Sequence, residues 1–140
     1  MTRVTSNNTT AVEWSRPCAA VLDAVYGGAN LMDALKSGIE ASTPEIGAAL
    51  TAAIDSDQPD TVAFAGEVGR ACPLPQSLPV MYHIAARAPS FQDAIDRNIR
   101  AGGDNCGRAP VLGAWFGAAH GLTGNGVPLR WIGRVHDLAD

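Results

Sequence analysis

Apolar residues recur at the helical period from one end of this chain to the other, and nowhere do they alternate as in a half-buried strand. Cys18, Val21, Leu22 and Val25 make the first stripe, with Pro17 near its first turn and Gly27-Gly28 ending it. Asn30 caps a second helix with Leu31, Ala34, Leu35, Gly38 and Ile39 on one face. Thr43-Pro44-Glu45 combines a cap, a first-turn proline and a first-turn acid. Ile46, Ala49, Leu50 and Ala53 follow it. Asp60 caps a fourth helix with Thr61, Phe64, Ala65 and Val68, after an acidic loop from Asp55. Residues 69–75 are rich in turn formers. Leu78, Met81, Ile84, Ala85 and Ala88 mark a fifth helix. Ser90 with Asp93 starts a sixth, carrying Phe91, Ala94, Ile95, Asn98 and Ile99. A seventh runs from Pro110 to Gly121, and an eighth from Pro128 to about Ala139. The reading is all-α: one helical domain over 11–140, behind a polar, disordered tail at 1–10.

The seventh helix is apolar on every side, with Gly113, Gly117 and Gly121 every four residues. A helix of that kind is buried all round. It is therefore expected at the centre of the fold, with a neighbour close against its glycines.

A chain of 140 residues is one domain by length. Its formal charge of −4 and lack of a basic patch argue against nucleic acid as a partner. The longest apolar run, 109–119, falls short of the ~20 residues that span a membrane. Cys18, Cys72 and Cys106 are an odd count without metal-ligand spacing, which fits a reducing compartment. Residues 1–10 lack the apolar stretch of a signal peptide. The expected location is cytoplasmic.

The tract Gly102-Gly103-Asp104-Asn105-Cys106-Gly107-Arg108 carries the chemistry. Its glycines permit backbone angles that other residues resist. Asp104 either caps the following helix or offers a carboxylate to a hard cation, and spacing alone does not choose. Arg108 either binds an anionic group or pairs with a neighbouring acid. Asn98 either orients the loop or is a buried amide satisfied by backbone. His83 and His120 have no metal-like partner one turn away and read as packed histidines.

Several separately spaced elements around this tract agree with one family. Phe64-Ala65-Gly66-Glu67-Val68-Gly69-Arg70-Ala71-Cys72, Leu78-Pro79, Phe91 with Asp93-Ala94-Ile95, and Asn98 through Asp104 come in order. Gly113-Ala114-Trp115-Phe116-Gly117-Ala118, Val127-Pro128 and Trp131 follow. Together they resemble the C-terminal half of the ADP-ribosylglycohydrolases, the crystallin J1-like hydrolases. The resemblance is most specific from Phe64 to Trp131. It implies a compact all-α fold, a magnesium centre, and hydrolysis of the glycosidic bond in ADP-ribosyl substrates. It makes Asp104 a metal ligand, with Gly102, Gly103, Asn105, Cys106, Arg108 and Asn98 around it.

The chain departs from the family pattern in two places. The pattern runs Gly-Gly-Asp-Thr-Asp-Thr, whereas this chain has Asn105, Cys106 and Gly107 after Asp104. A thiol is a soft ligand and a poor substitute for a carboxylate at magnesium. The family's Thr-Asp-Asp motif, in its other half, has no counterpart, because this sequence contains no Asp-Asp pair. The expectation is an incomplete site, with magnesium bound weakly or not at all and no catalysis by this chain alone. The alternative is a non-catalytic helical interaction protein. Either way, self-association or a partner carrying the family's N-terminal half is expected.

Overall fold

The computed structural model describes residues 7–135. Within them the chain forms eight α-helices and no strand. They are α1 (Thr9–Tyr26), α2 (Leu31–Glu40), α3 (Pro44–Asp55), α4 (Thr61–Val68), α5 (Leu74–Arg87), α6 (Phe91–Ala101), α7 (Asn105–His120) and α8 (Leu129–Ile132). None of these is long and apolar enough to cross a membrane.

Capping residues set most of the starts. Asn30, Thr43, Asp60 and Ser90 each accept a hydrogen bond from a first-turn N–H, as their side chains predict. The first helix departs from expectation. It begins at Thr9, where Asn8 accepts from Ala11 N at 3.3 Å, so Thr9 and Thr10 belong to α1 and not to a tail. Residues 1–6 of the expected tail lie outside the described residues. Pro17 therefore sits inside α1. It removes one helical hydrogen bond, a loss offset here by burial of Pro17, Val21 and Val25 against α2 and α7. At the other end only Leu129–Ile132 of the expected 128–139 helix is helical, and residues 136–140 lie outside the described residues.

The centre of the fold is α5, not α7. Every residue from Ser77 to Ala85 is buried, and α5 packs against α1, α2, α3, α4, α6 and α7. By contrast α7 buries Arg108, Leu112, Trp115 and Phe116 and leaves Cys106, Gly107, Pro110 and Ala114 exposed. Its apolar composition misleads because the exposed members are small, and small apolar side chains cost little in water. Atoms of Phe91 and Val127 lie against Gly113 and Gly117, with room for an added methyl group at either position. Gly121, at φ 58°, ends the helix.

Polar side chains secure α5 to its surroundings. The Arg87 guanidinium donates to the carbonyls of Ala53 and Ile54, each at 3.2 Å, and to that of Ser56. It thus closes the C-terminal end of α3, where helical carbonyls lack partners. His83 is fully buried and stacks on Phe64 at 4.2 Å. Its Nε2 lies 2.8 Å from the Gln58 carbonyl, which can only accept, so Nε2 carries the proton. Nδ1 then accepts from the Thr61 hydroxyl at 3.3 Å. Burial holds the ring's pKa below its ordinary 6.5. Elsewhere, Tyr82 packs edge-on against Trp115 and presses its hydroxyl onto Gly38. That hydroxyl is buried and has no hydrogen-bond partner among the described residues. Cys18, nearby on α1, has its thiol pushed up to about 12 by burial, which keeps it protonated at neutral pH.

Two predictions follow from this packing. A methyl group at Gly38 would collide with the Tyr82 hydroxyl and Val21. Gly38→Ala should therefore cost about 1–3 kcal/mol in denaturant unfolding. Tyr82→Phe, which removes an unpaired hydroxyl, should cost little alone and recover part of the Gly38→Ala loss. For His83, the unfolded chain takes up a proton before the folded one does. The contribution to stability is complete above pH 6.5 and is lost as pH falls below it. The urea midpoint should drop between neutral pH and ~pH 5.5, and His83→Gln should flatten that slope.

Candidate functional site

The Gly-Gly-Asp tract forms the connection between α6 and α7, and its path is dictated by glycine. Gly102 and Gly103 take φ of 70° and 63°, where side chains are strained. A Cβ on Gly103 would also overlap the Arg70 carbonyl. This close approach lets Asp104 N donate to the Arg70 carbonyl at 3.0 Å. The segment that follows α4 is thereby fastened to the loop. The Arg70 side chain in turn donates to the Val62 carbonyl at 2.9 Å, back on α4.

Beneath the loop lies a buried polar network. Asn98 and Arg108 are both fully buried. Arg108 Nε donates to Asn98 Oδ1 at 2.7 Å, and its Nη2 donates to the Gly102 carbonyl. Asn98 Nδ2 donates to the Asn105 carbonyl at 2.8 Å. One amide and one guanidinium therefore tie α6, the loop and the first turn of α7 together. Arg108 Nη1 has no hydrogen-bond partner among the described residues. Burial lowers the guanidinium's pKa, and the charge of Asp104 acts in the opposite direction.

Asp104 occupies the N-cap position of α7, yet its carboxylate accepts no helix N–H and forms no ion pair among the described residues. It is half-buried and lies over Gly107. Asn105 is half-buried and Cys106 exposed, with the thiol 3.5 Å from Asn105 Oδ1. Cys72 is exposed and all three cysteines are free. The structure thus brings Gly102, Gly103, Asp104, Asn105 and Arg108 around one turn, with Asn98 beneath. Arg70 is the member that sequence reasoning did not single out. It belongs to the segment 64–72 that carries part of the family resemblance, but a residue that acts through its carbonyl leaves no mark of type.

A magnesium ion would need several oxygen ligands here. The tract offers a single carboxylate, and among the described residues no three His, Cys, Asp or Glu side chains converge on one point. The residues present do not fit the ion.

The family description ADP-ribosylglycohydrolase matches residues 1–140, extending well beyond the 64–131 stretch in which the motifs lie. Crystallin J1A of Tripedalia cystophora is 35% identical over 67 residues, which are 48% of this chain and 20% of that protein. The matched stretch thus spans a fifth of the relative's length. No solved structure matches the chain. With the description running through every residue, and the helical fold and Gly-Gly-Asp loop in place, the chain belongs to the ADP-ribosylglycohydrolase family.

Proposed function

We propose that these 140 residues supply the Gly-Gly-Asp portion of an ADP-ribosylglycohydrolase-type protein and do not hydrolyse ADP-ribosyl bonds by themselves. One observation carries this reading: Asp104 is the only carboxylate on the loop, and Cys106 and Gly107 stand where the family pattern has further oxygen ligands. Glycosidic hydrolysis requires a positioned water, a base and stabilisation of developing charge together. Any turnover would need carboxylates from outside these residues. In that case the substrate class is an ADP-ribosyl conjugate and the implied metal is magnesium.

A second reading, a helical interaction protein, draws support from the surface. Pro110 and Ala114 leave one side of α7 open, and Ile99, Leu122 and Leu129 are 59%, 59% and 67% exposed. Both readings call for cover over these exposed apolar residues, from either a second copy or a partner with the acidic half.

The purified chain should release no ADP-ribose from modified protein or small-molecule conjugates, with or without magnesium. Turnover that depends on both Asp104 and magnesium would overturn the first reading. Activity appearing only on mixing with a chain that carries the Thr-Asp-Asp motif would locate the missing groups there. Sedimentation of the chain alone should show association that grows with concentration. A monomer at all concentrations that also binds no apolar dye would remove the case for a docking surface.

A further inference from the structure

The position of the Asp104 carboxylate and the glycine at 107 are one arrangement. A Cβ built on Gly107 would overlap both oxygens and the carboxyl carbon of Asp104. The threonine of the family pattern could not stand at 107 while the carboxylate remains where it is. Asp104 N is held by the Arg70 carbonyl, and the Asp104 carbonyl accepts from Arg108 N at 3.2 Å.

Arg108 is the one residue ionised at neutral pH that is fully buried among the described residues. Its two bound nitrogens meet neutral acceptors, the Asn98 amide and the Gly102 carbonyl, so its charge is not cancelled by them. Nη1 has no acceptor at all among the described residues. A buried cation without a counter-charge is costly. Among the described residues the nearest anion in sequence is Asp104, four positions earlier, whose carboxylate is engaged in no ion pair. Each group lacks what the other provides, and both belong to the same first turn.

We infer that in this chain the Arg108 guanidinium has taken the place of the metal ion as the counter-charge of Asp104. The Gly-Gly-Asp loop is held by an internal cation fixed from below, and a divalent ion approaching Asp104 meets a buried positive charge of its own sign. Family membership supplies the comparison; the geometry is the chain's own.

Manganese, as a paramagnetic stand-in for magnesium, and thermal unfolding test this together. The wild-type chain should bind manganese without saturation at millimolar ion. Asp104→Asn and Arg108→Gln should each lower the melting temperature, and the double variant should lose roughly half of the summed loss, since the two changes remove one interaction. Arg108→Lys, which keeps the charge, should retain most of the coupling to Asp104→Asn. Strictly additive losses would overturn the inference, because an arginine that only ties Asn98 to Gly102 would not sense residue 104. So would saturable manganese binding by the wild type that Asp104→Asn abolishes. If Arg108→Gln does not fold, the coupling of Arg108→Lys to Asp104→Asn and the manganese titration of the wild type and Asp104→Asn decide. Neither readout involves turnover, so hydrolysis by the chain alone that needs no divalent ion would sink the proposed function and leave this inference standing.

Discussion

Burial of the α5 segment from Ser77 to Ala85 is the constraint on which the other helices depend. Six of them lie against it, and they also pack on one another, α1 on α2 and α6 on α7 most extensively. The arrangement has a cost, because a helix enclosed on all sides must also enclose its polar members. His83 and Ser77 are buried within it, and Tyr82 carries an enclosed hydroxyl. His83 is accommodated by giving each ring nitrogen a partner, from Gln58 and Thr61, and a flat face of Phe64. Tyr82 is accommodated sterically, by a glycine on α2.

The candidate site stands at the edge of this body and is rigid for a different reason. Positive φ at two glycines, a backbone contact with Arg70, and the Asn98–Arg108 network each restrict the same short connection. The resulting turn presents one half-buried carboxylate with a guanidinium enclosed in the same turn. Such a turn resists rearrangement, since buried polar networks are costly when only partly satisfied. Whatever side chains stand at 105–107, the path of the loop is set from beneath, by Asn98, Arg108 and the Arg70 carbonyl.

Much of this was legible in the sequence, for physical reasons that differ by element. The caps at Asn30, Thr43, Asp60 and Ser90 were readable because a short polar side chain before an apolar stripe has one dominant use. The start of α1 was hidden because Asn8-Thr9-Thr10 is polar throughout and Pro17 imitates a first-turn proline. Centrality was assigned to α7 in place of α5, because period and composition report how apolar a helix is and not how large its exposed residues are. At the site, the loop glycines and Asp104 announce themselves by type. The Arg70 carbonyl and the acceptors of Arg108 are backbone groups that every residue possesses, so no sequence pattern marks them.

The last carbonyls of α3 are closed by Arg87, as far as 34 positions downstream of them. During synthesis from the N-terminus, α3 therefore leaves the ribosome with its C-terminal end open, and it stays open until all of α5 has followed. The helix and the acidic loop after it are completed by a residue that does not yet exist when they first could fold. In the finished fold the fifth helix closes the third.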